Sequence, residues 1–486
     1  MRRIMTSRRW VRGMLAVASV MVLAGCSNVV PGRATSPLFD PFHVAGLPAE
    51  DGPSGLKDDA PEPTSEVQNT DGGDVDRMAM LAVNDVAEYW EKEYGLDFKG
   101  EFTPIERVAS YDSTDPSSPK ICGRPTYQLV NAYFCPSAEV MAWDRGVLVP
   151  TGMKFFGDAS VAALLAHEYG HAVQHMAGLV DDDTPVVVME QQADCFAGSY
   201  LRWVAEGSSP RFRLSTGDGL NKVLAAAITL RDPTLGPQDS DMIEQGHGTA
   251  LDRISAFQIG FTTGAKRCGD IDFDDVQSRR AELPMELQAD SSGTVQSGEV
   301  PIDKATLSTL MEVLGVLFSP AQAPALSYDQ SDCPDSAASP PASYCSSNNT
   351  IYVDLPGLQT MGAAQDESSD VLIQGDNTAL SVVTSRYMQA VQHERGLSLQ
   401  SGTAALRTAC LTGVAQRGMS QKVDVPSGEQ LVLTAGDLDE AVAGLLTNGL
   451  AASAPDGSTV PAGFTRIVAY RAGLTGDADG CYQRFP

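Results

Sequence analysis

His167-Glu168-Tyr169-Gly170-His171 sets two imidazoles four residues apart with a carboxylate between them. In a helix, positions i and i+4 share a face, so both rings can reach one zinc ion while the glutamate lies beside its water. The chemistry this spacing supports is hydrolysis by a zinc-activated water, with Glu168 as general base. A catalytic zinc takes three protein ligands and keeps one position open. Glu190, nineteen residues past His171, is the expected third ligand, and Asp194, one turn further on, is expected to accept the N–H of a ligand histidine. A bare E-x-x-x-D usually marks a solvated helix face. Only its place one helix after H-E-x-x-H argues for ligation.

Two helices must position these groups. Asp158 or Ser160 is suited to cap the first, Val161, Ala162, Leu164 and Leu165 form its apolar face, and Gly178 can end it. Gly170 costs about 1 kcal/mol relative to Ala inside a helix, which suggests that another backbone comes close there. Thr184-Pro185 opens the second helix and Gly207 can close it. Helical patterning in this part of the chain begins near Met78.

Three stretches carry a family resemblance. They are His167-Glu-Tyr-Gly-His171-Ala-Val-Gln, Glu190-Gln-Gln-Ala-Asp194-Cys195-Phe-Ala-Gly198, and Gly246-His247-Gly248-Thr249 followed by Arg253. Over roughly Met78 to Cys268 the chain resembles the bacterial neutral zinc metallopeptidases. Gln191 stands where that family usually has Leu, a change that touches no ligand. The resemblance implies a gluzincin-like fold, one Zn2+ in this part of the chain, and hydrolysis of peptide bonds in a peptide or protein substrate. It also brings forward His247, between two glycines, as a donor to the tetrahedral oxyanion; the competing reading is a surface-loop histidine. Tyr169, inside the motif, reads as packing.

The rest of the chain repeats this part without its chemistry. Tyr133-Phe-Cys-Pro-Ser137 resembles Ser343-Tyr-Cys-Ser-Ser347, and Ala172-Val-Gln-His175 recurs as Ala390-Val-Gln-His393. Cys195-Phe-Ala-Gly198 echoes Cys410-Leu-Thr-Gly413, and Arg253-Ile254 echoes Arg466-Ile467. Matches in one order at nearly constant offset indicate duplication. Aligned this way, His167, Glu168 and His171 become Ser385, Arg386 and Gln389, Glu190 and Asp194 become Ala405 and Ala409, and His247 becomes Val460. His175 therefore reads as structural, since His393 persists where no site survives. The acids from Asp437 to Glu440 read as a capped helix start rather than as a second metal site.

The first twenty-five residues hold five arginines, no acid, and an apolar run from Met14 to Leu23 that is short for a membrane span. Ending in Leu23-Ala24-Gly25-Cys26, the segment resembles a lipoprotein signal in which Cys26 receives a lipid such as palmitate. Ser7-Arg8-Arg9-Trp10 also fits a twin-arginine signal, so the export route stays open. The remaining cysteines, Cys122, Cys135, Cys195, Cys268, Cys333, Cys345, Cys410 and Cys481, are even in number, which in an exported protein reads as disulfides. Nearest neighbours within each half give Cys122–Cys135, Cys195–Cys268, Cys333–Cys345 and Cys410–Cys481. A formal charge of −28 over 486 residues is repelled by nucleic acid and by anionic lipid, which excludes nucleic-acid partners and leaves the lipid on Cys26 as the membrane anchor. No G-x-S-x-G elbow or phosphate-binding loop offers another chemistry.

The expected protein is a helix-rich α+β tandem of two related zincin-like domains, the second lacking the metal site. Residues 1–25 are read as signal peptide, 26–76 as lipidated Cys26 and flexible linker, 77–269 as the zinc metallopeptidase domain, 270–300 as a linker, and 301–486 as the degenerate copy. It is expected on the outer face of the cytoplasmic membrane, with the second domain open to a protein partner. The competing expectation is a non-catalytic, zinc-containing interaction lipoprotein.

Overall fold

Apolar repeats of 3.6 residues fold as helices, and short runs form two three-stranded and two two-stranded sheets among the described residues, so the chain is a helix-rich α+β protein. The computed structural model describes residues 39–289, 292–329, 333–334, 337–364, 372 and 374–486. The expected signal peptide and Cys26 lie outside the described residues. Among the described residues, no helix is long and apolar enough to cross a membrane.

The two halves carry the same order of elements. In the first, helix Asp74–Asp97 leads to a three-stranded sheet, then to helices Leu148–Phe156, Asp158–Ala177, Val186–Ala205, Asp218–Thr229, Ala250–Thr263 and Ala265–Gly269. In the second, helix Lys304–Phe318 leads to a three-stranded sheet, then to Leu355–Met361, Asp376–Glu394, Gly402–Met419, Asp437–Thr447, Gly463–Leu474 and Ala478–Arg484. Each sheet has its third strand in the middle, parallel to the first and antiparallel to the second. Val140–Asp144 lies between Arg107–Tyr111 and Ala132–Cys135, and Thr350–Val353 lies between Ala325–Ser327 and Ala342–Cys345.

Glycines and cysteines fix the helix crossings in both halves alike. A Cβ on Gly198 would run into the Phe257 carbonyl oxygen, and one on Gly260 into that of Cys195. Gly413 and Gly473 meet Tyr470 and Cys410 in the same way. The four cysteine pairs are Cys122–Cys135, Cys195–Cys268, Cys333–Cys345 and Cys410–Cys481, with Cα–Cα distances of 6.5, 5.4, 5.6 and 5.7 Å, as nearest-neighbour pairing expects. His175 and His393 also occupy matching places, with ring centroids 6.3 Å from Phe134 and 6.2 Å from Tyr344.

The described residues lie in one compact unit, and a single hydrophobic cluster draws on both halves. Across the join, Phe261 lies 5.3 Å from Phe464, Gln258 Nε2 donates to Phe464 O at 3.0 Å, and the Gly463 N–H donates to Asn221 Oδ1 at 3.0 Å. Asp439, in the second half, accepts from Arg231 Nε at 3.1 Å and from the Leu251 N–H at 3.4 Å.

The stretches composed like linkers are seated on this body. Leu56 pairs with Phe212, Lys57 Nζ donates to Ser209 O at 2.6 Å, and Phe39 packs edge-on against Phe485 at 5.2 Å. Within 270–300, helix Phe273–Arg280 starts at Asp272, and its buried Arg280 reaches Asp252 Oδ2 at 2.8 Å. Backbone pairing, ion pairs and scattered side-chain contacts hold these segments, so they leave no apolar periodicity to read.

Candidate metal centre

Helix Asp158–Ala177 buries Val161, Ala162, Leu165, Ala166, Tyr169 and Val173 in the core and turns His167, Glu168 and His171 toward a cleft. Its N-cap is Gly157, at φ 82°, and neither Asp158 nor Ser160 caps it. The break from the preceding helix is a single residue, so the chain turns on a left-handed glycine and Asp158 enters the first turn, where a negative charge suits the helix dipole. Gly178 ends the helix at φ 65°. Gly170 does admit a second backbone: a Cβ there would lie 3.0 Å from Ala193 Cα on helix Val186–Ala205. That contact sets Glu190 and Asp194 against the two histidines.

His167, His171 and Glu190 each offer one ligand atom, all within 4.8 Å of one another. His167 Nε2 lies 3.1 Å from Glu190 Oε2, and His171 Nε2 lies 3.5 Å from Glu190 Oε1. The opposite ring nitrogens are occupied. His167 Nδ1 lies 2.8 Å from Asp194 Oδ1, and His171 Nδ1 lies 3.0 Å from Gln174 Oε1. Glu190 Oε2 is buried, and no hydrogen-bond donor among the described residues is aligned on it. Two Nε2 atoms and a buried carboxylate facing one point are a donor set that fits a His₂Glu zinc site.

The electrostatics agree. Burial alone would strip His167 of its proton, yet Asp194 and Glu190 carry its pKa up to about 10. Burial pushes Glu190 up, and the neighbouring charges of His171 and His167 outweigh it and hold the carboxyl well below the usual range. The pocket therefore calls for positive charge between its carboxylates, which a proton or a metal ion supplies. Glu168 is raised by burial, and its Oε2 accepts the Phe134 N–H at 3.1 Å.

Asp194 does more than orient His167. Arg253 forks onto it, Nη2 to Oδ1 at 2.7 Å and Nε to Oδ2 at 2.9 Å, and Arg253 Nη1 also donates to Leu230 O at 2.7 Å. Burial raises the Asp194 carboxyl, but the Arg253 guanidinium and His167 hold it below its ordinary value. Asp194 is thus fully engaged and unavailable as a fourth ligand.

A cleft of about 630 Å³ opens over these groups, lined among others by Phe134, Leu164, Glu168, Met189, Arg231 and His247. His247 is 54% exposed at its side chain and stands on the cleft wall, with Nδ1 3.3 Å from Asp232 Oδ1. That hydrogen bond raises the His247 pKa, and burial opposes it. Tyr169 stays out of the cleft: its hydroxyl accepts the Ile105 N–H at 3.1 Å and its ring stacks on Phe102. Arg253, Gln174, Asp232 and the Phe134 N–H were not singled out as site groups by spacing alone. Arg253 had a signal, its fixed distance behind Gly246-His247-Gly248, whereas the other three become visible only once distant elements meet.

Gln191 is fully buried, and neither of its side-chain polar atoms has a hydrogen-bond partner among the described residues.

Residues 64–271, under half of the chain, match the family described as "putative neutral zinc metallopeptidase". The uncharacterized protein YpfJ of Escherichia coli (strain K12) is 32% identical over 154 residues, which are 28% of this chain and 52% of that protein. The uncharacterized protein Rv2575 of Mycobacterium tuberculosis (strain ATCC 25618 / H37Rv) is 28% identical over 162 residues, 29% of this chain and 55% of that protein. The chain thus spans about half the length of the curated relatives it matches. No solved structure gives a significant match. The part of the chain that is similar to this zinc peptidase family is the part that brings His167, His171 and Glu190 together.

Proposed function

We propose that the protein is a zinc-dependent peptidase whose ion is held by His167, His171 and Glu190. The observation that carries this reading is the convergence of two Nε2 atoms on the two oxygens of the buried Glu190 carboxylate, with both Nδ1 atoms already taken. When bound, zinc supplies Lewis acidity and a water acidified to a pKa of about 7. Glu168 takes a proton from the attacking water and delivers it to the leaving amine, a role suited to a buried carboxyl with a raised pKa. His247 donates to the developing oxyanion, with Asp232 holding its other ring nitrogen. A peptide or protein chain lies in the cleft between Phe134 and Met189.

In the same reading the second half is a degenerate zincin-like copy, and the chain is exported and tethered through a lipid on Cys26 to the outer face of the cytoplasmic membrane. The competing reading, a non-catalytic protein with a closed structural zinc, needs Asp194 as a fourth ligand. Asp194 is committed to His167 and Arg253 instead.

Zinc content and peptidase activity of residues 27–486 test the reading together. About one zinc per chain, lost in His167→Ala, and activity lost in Glu168→Gln with zinc retained are the expected results. Zinc without any peptidase activity would turn the argument to the interaction-protein reading.

A further inference from the structure

A second cluster lies in the half without the zinc site. Asp376, Asp437 and Glu440 bring carboxylate oxygens within 4.8 Å of one another, and all three side chains are buried. Asp376 and Asp437 each open a helix, and Glu440 follows within the first turn. Acids at helix starts are ordinary partners of backbone N–H groups. That explains part of the cluster: the Val300 N–H donates to Asp376 Oδ2, the Thr434 N–H to Asp437 Oδ2, and the Asn377 N–H to Glu440 Oε2 at 2.9 Å. It does not explain Asp376 Oδ1 and Asp437 Oδ1, which are buried and accept from no N–H or hydroxyl among the described residues, while the Asp376 and Asp437 side chains lie within hydrogen-bond reach of each other. Their residues keep only 2% and 4% of their exposure. Among the described residues, no Lys, Arg or His forms an ion pair with any of the three; the nearby Arg231 pairs with Asp439. Orphaned oxygens among like charges, away from water, are unfavourable unless something positive sits between them.

The first half supplies an internal control. The same two helix starts carry Asp158 and Asp218 there. Asp218 is exposed and accepts from Ser215 Oγ at 2.8 Å and the Gly52 N–H at 3.1 Å, and Asn221 holds the position of Glu440. The third carboxylate and the orphaned oxygens belong to the second half alone. A cavity of about 240 Å³ adjoins the cluster, lined by Glu299, Asp376, Thr434 and Asp437 together with the solvent-exposed Gln296 and Ser297. It gives an ion a way in and leaves room for its waters.

We propose that Asp376, Asp437 and Glu440 bind one hard divalent cation of the Ca2+ or Mg2+ class, with water from the cavity completing its coordination. An all-oxygen donor set suits these ions rather than zinc, so the zinc count of the chain stays at one. The sequence showed only a capped helix start at Asp437–Glu440, because Asp376 joins it through the packing of two helices distant along the chain. This inference does not depend on peptidase activity.

Thermal unfolding of the chelator-treated protein, with CaCl2 or MgCl2 added to about 5 mM, tests it. The expected result is a rise in Tm of at least about 3 °C, retained in His167→Ala. Asp437→Asn and, separately, Glu440→Gln each remove one like charge. Both should raise the Tm of the chelated protein and abolish the cation-dependent rise. Absence of a rise with either cation, or a rise that survives both substitutions, overturns the proposal. Stabilisation by the variants without any cation response in the unsubstituted protein also overturns it, and assigns the cluster to shared protons.

Discussion

Helices Asp158–Ala177 and Asp376–Glu394 occupy the same place in the two halves and solve opposite problems. The first brings two imidazoles to the Glu190 carboxylate and backs them with Asp194 and Arg253. In the second, the place of Glu168 is taken by Arg386, which is wholly buried and pairs with no acid among the described residues. Its guanidinium donates to Ala342 O at 2.8 Å, Ser453 Oγ at 2.9 Å, and Leu450 O and Ser339 Oγ at 3.3 Å. Burial pulls its pKa down to about 10. Gln389, in place of His171, donates to Ser453 O at 3.0 Å. A frame with the same cysteines, glycines and helix crossings holds a cleft lined by ligand-type side chains in one half and a filled core in the other, because the frame does not depend on what fills that place.

Substitutions in either half can break or sharpen that contrast. Glu168→Gln should have the largest effect, lowering kcat by about 10²–10⁴-fold with zinc retained, as read by peptide hydrolysis beside metal analysis. Arg386→Ala should leave zinc binding and activity intact but lower the unfolding free energy by about 3 kcal/mol, since it leaves a cavity and unpaired carbonyls; denaturant titration reads it. If Arg386→Ala costs nothing, the second half is not packed around that side chain as described. Asp194→Asn should weaken zinc affinity by about 10–100-fold, measured by competition with a chelator. Gln191→Leu should raise stability by about 1–2 kcal/mol without touching the metal, because its counterpart in the second half is the buried Leu406. His247→Gln should lower kcat by about tenfold. Because Asp232 raises the His247 pKa, its proton is present below the ordinary 6.5 and lost as pH rises through a higher value. The basic limb of the pH–rate profile should therefore vanish in this variant.

What spacing alone conveys here is the local chemistry. H-E-x-x-H, the later Glu190 and the paired cysteine series are fixed by helical geometry and by repetition, so they can be read before any fold is known. The groups that complete the site obey no local rule. Arg253 reaches Asp194 across a helix crossing made by Gly198 and Gly260, and Asp232 meets His247 through the close of a loop. The cap of the motif helix is misread for a related reason: Asp158 has the right chemistry, but the one-residue turn at Gly157 leaves no place for a side-chain cap. Residues 39–69 have the composition of a linker and are held by backbone bonds and scattered side-chain contacts, which composition does not report. The join between halves escapes as well, since a repeat predicts two similar units and says nothing about one shared core.

Asp439 gives that join a consequence for genetics. It lies outside the stretch that resembles a peptidase, yet it grips Arg231 on the cleft wall and the Leu251 N–H just beyond the His247 loop. A damaging allele at Asp439 should therefore look like an active-site allele, although it maps to the half without the chemistry. A screen that scored only residues 64–271 would miss it, and one that trimmed the chain at 300 would discard a supporting wall of the cleft it set out to assay.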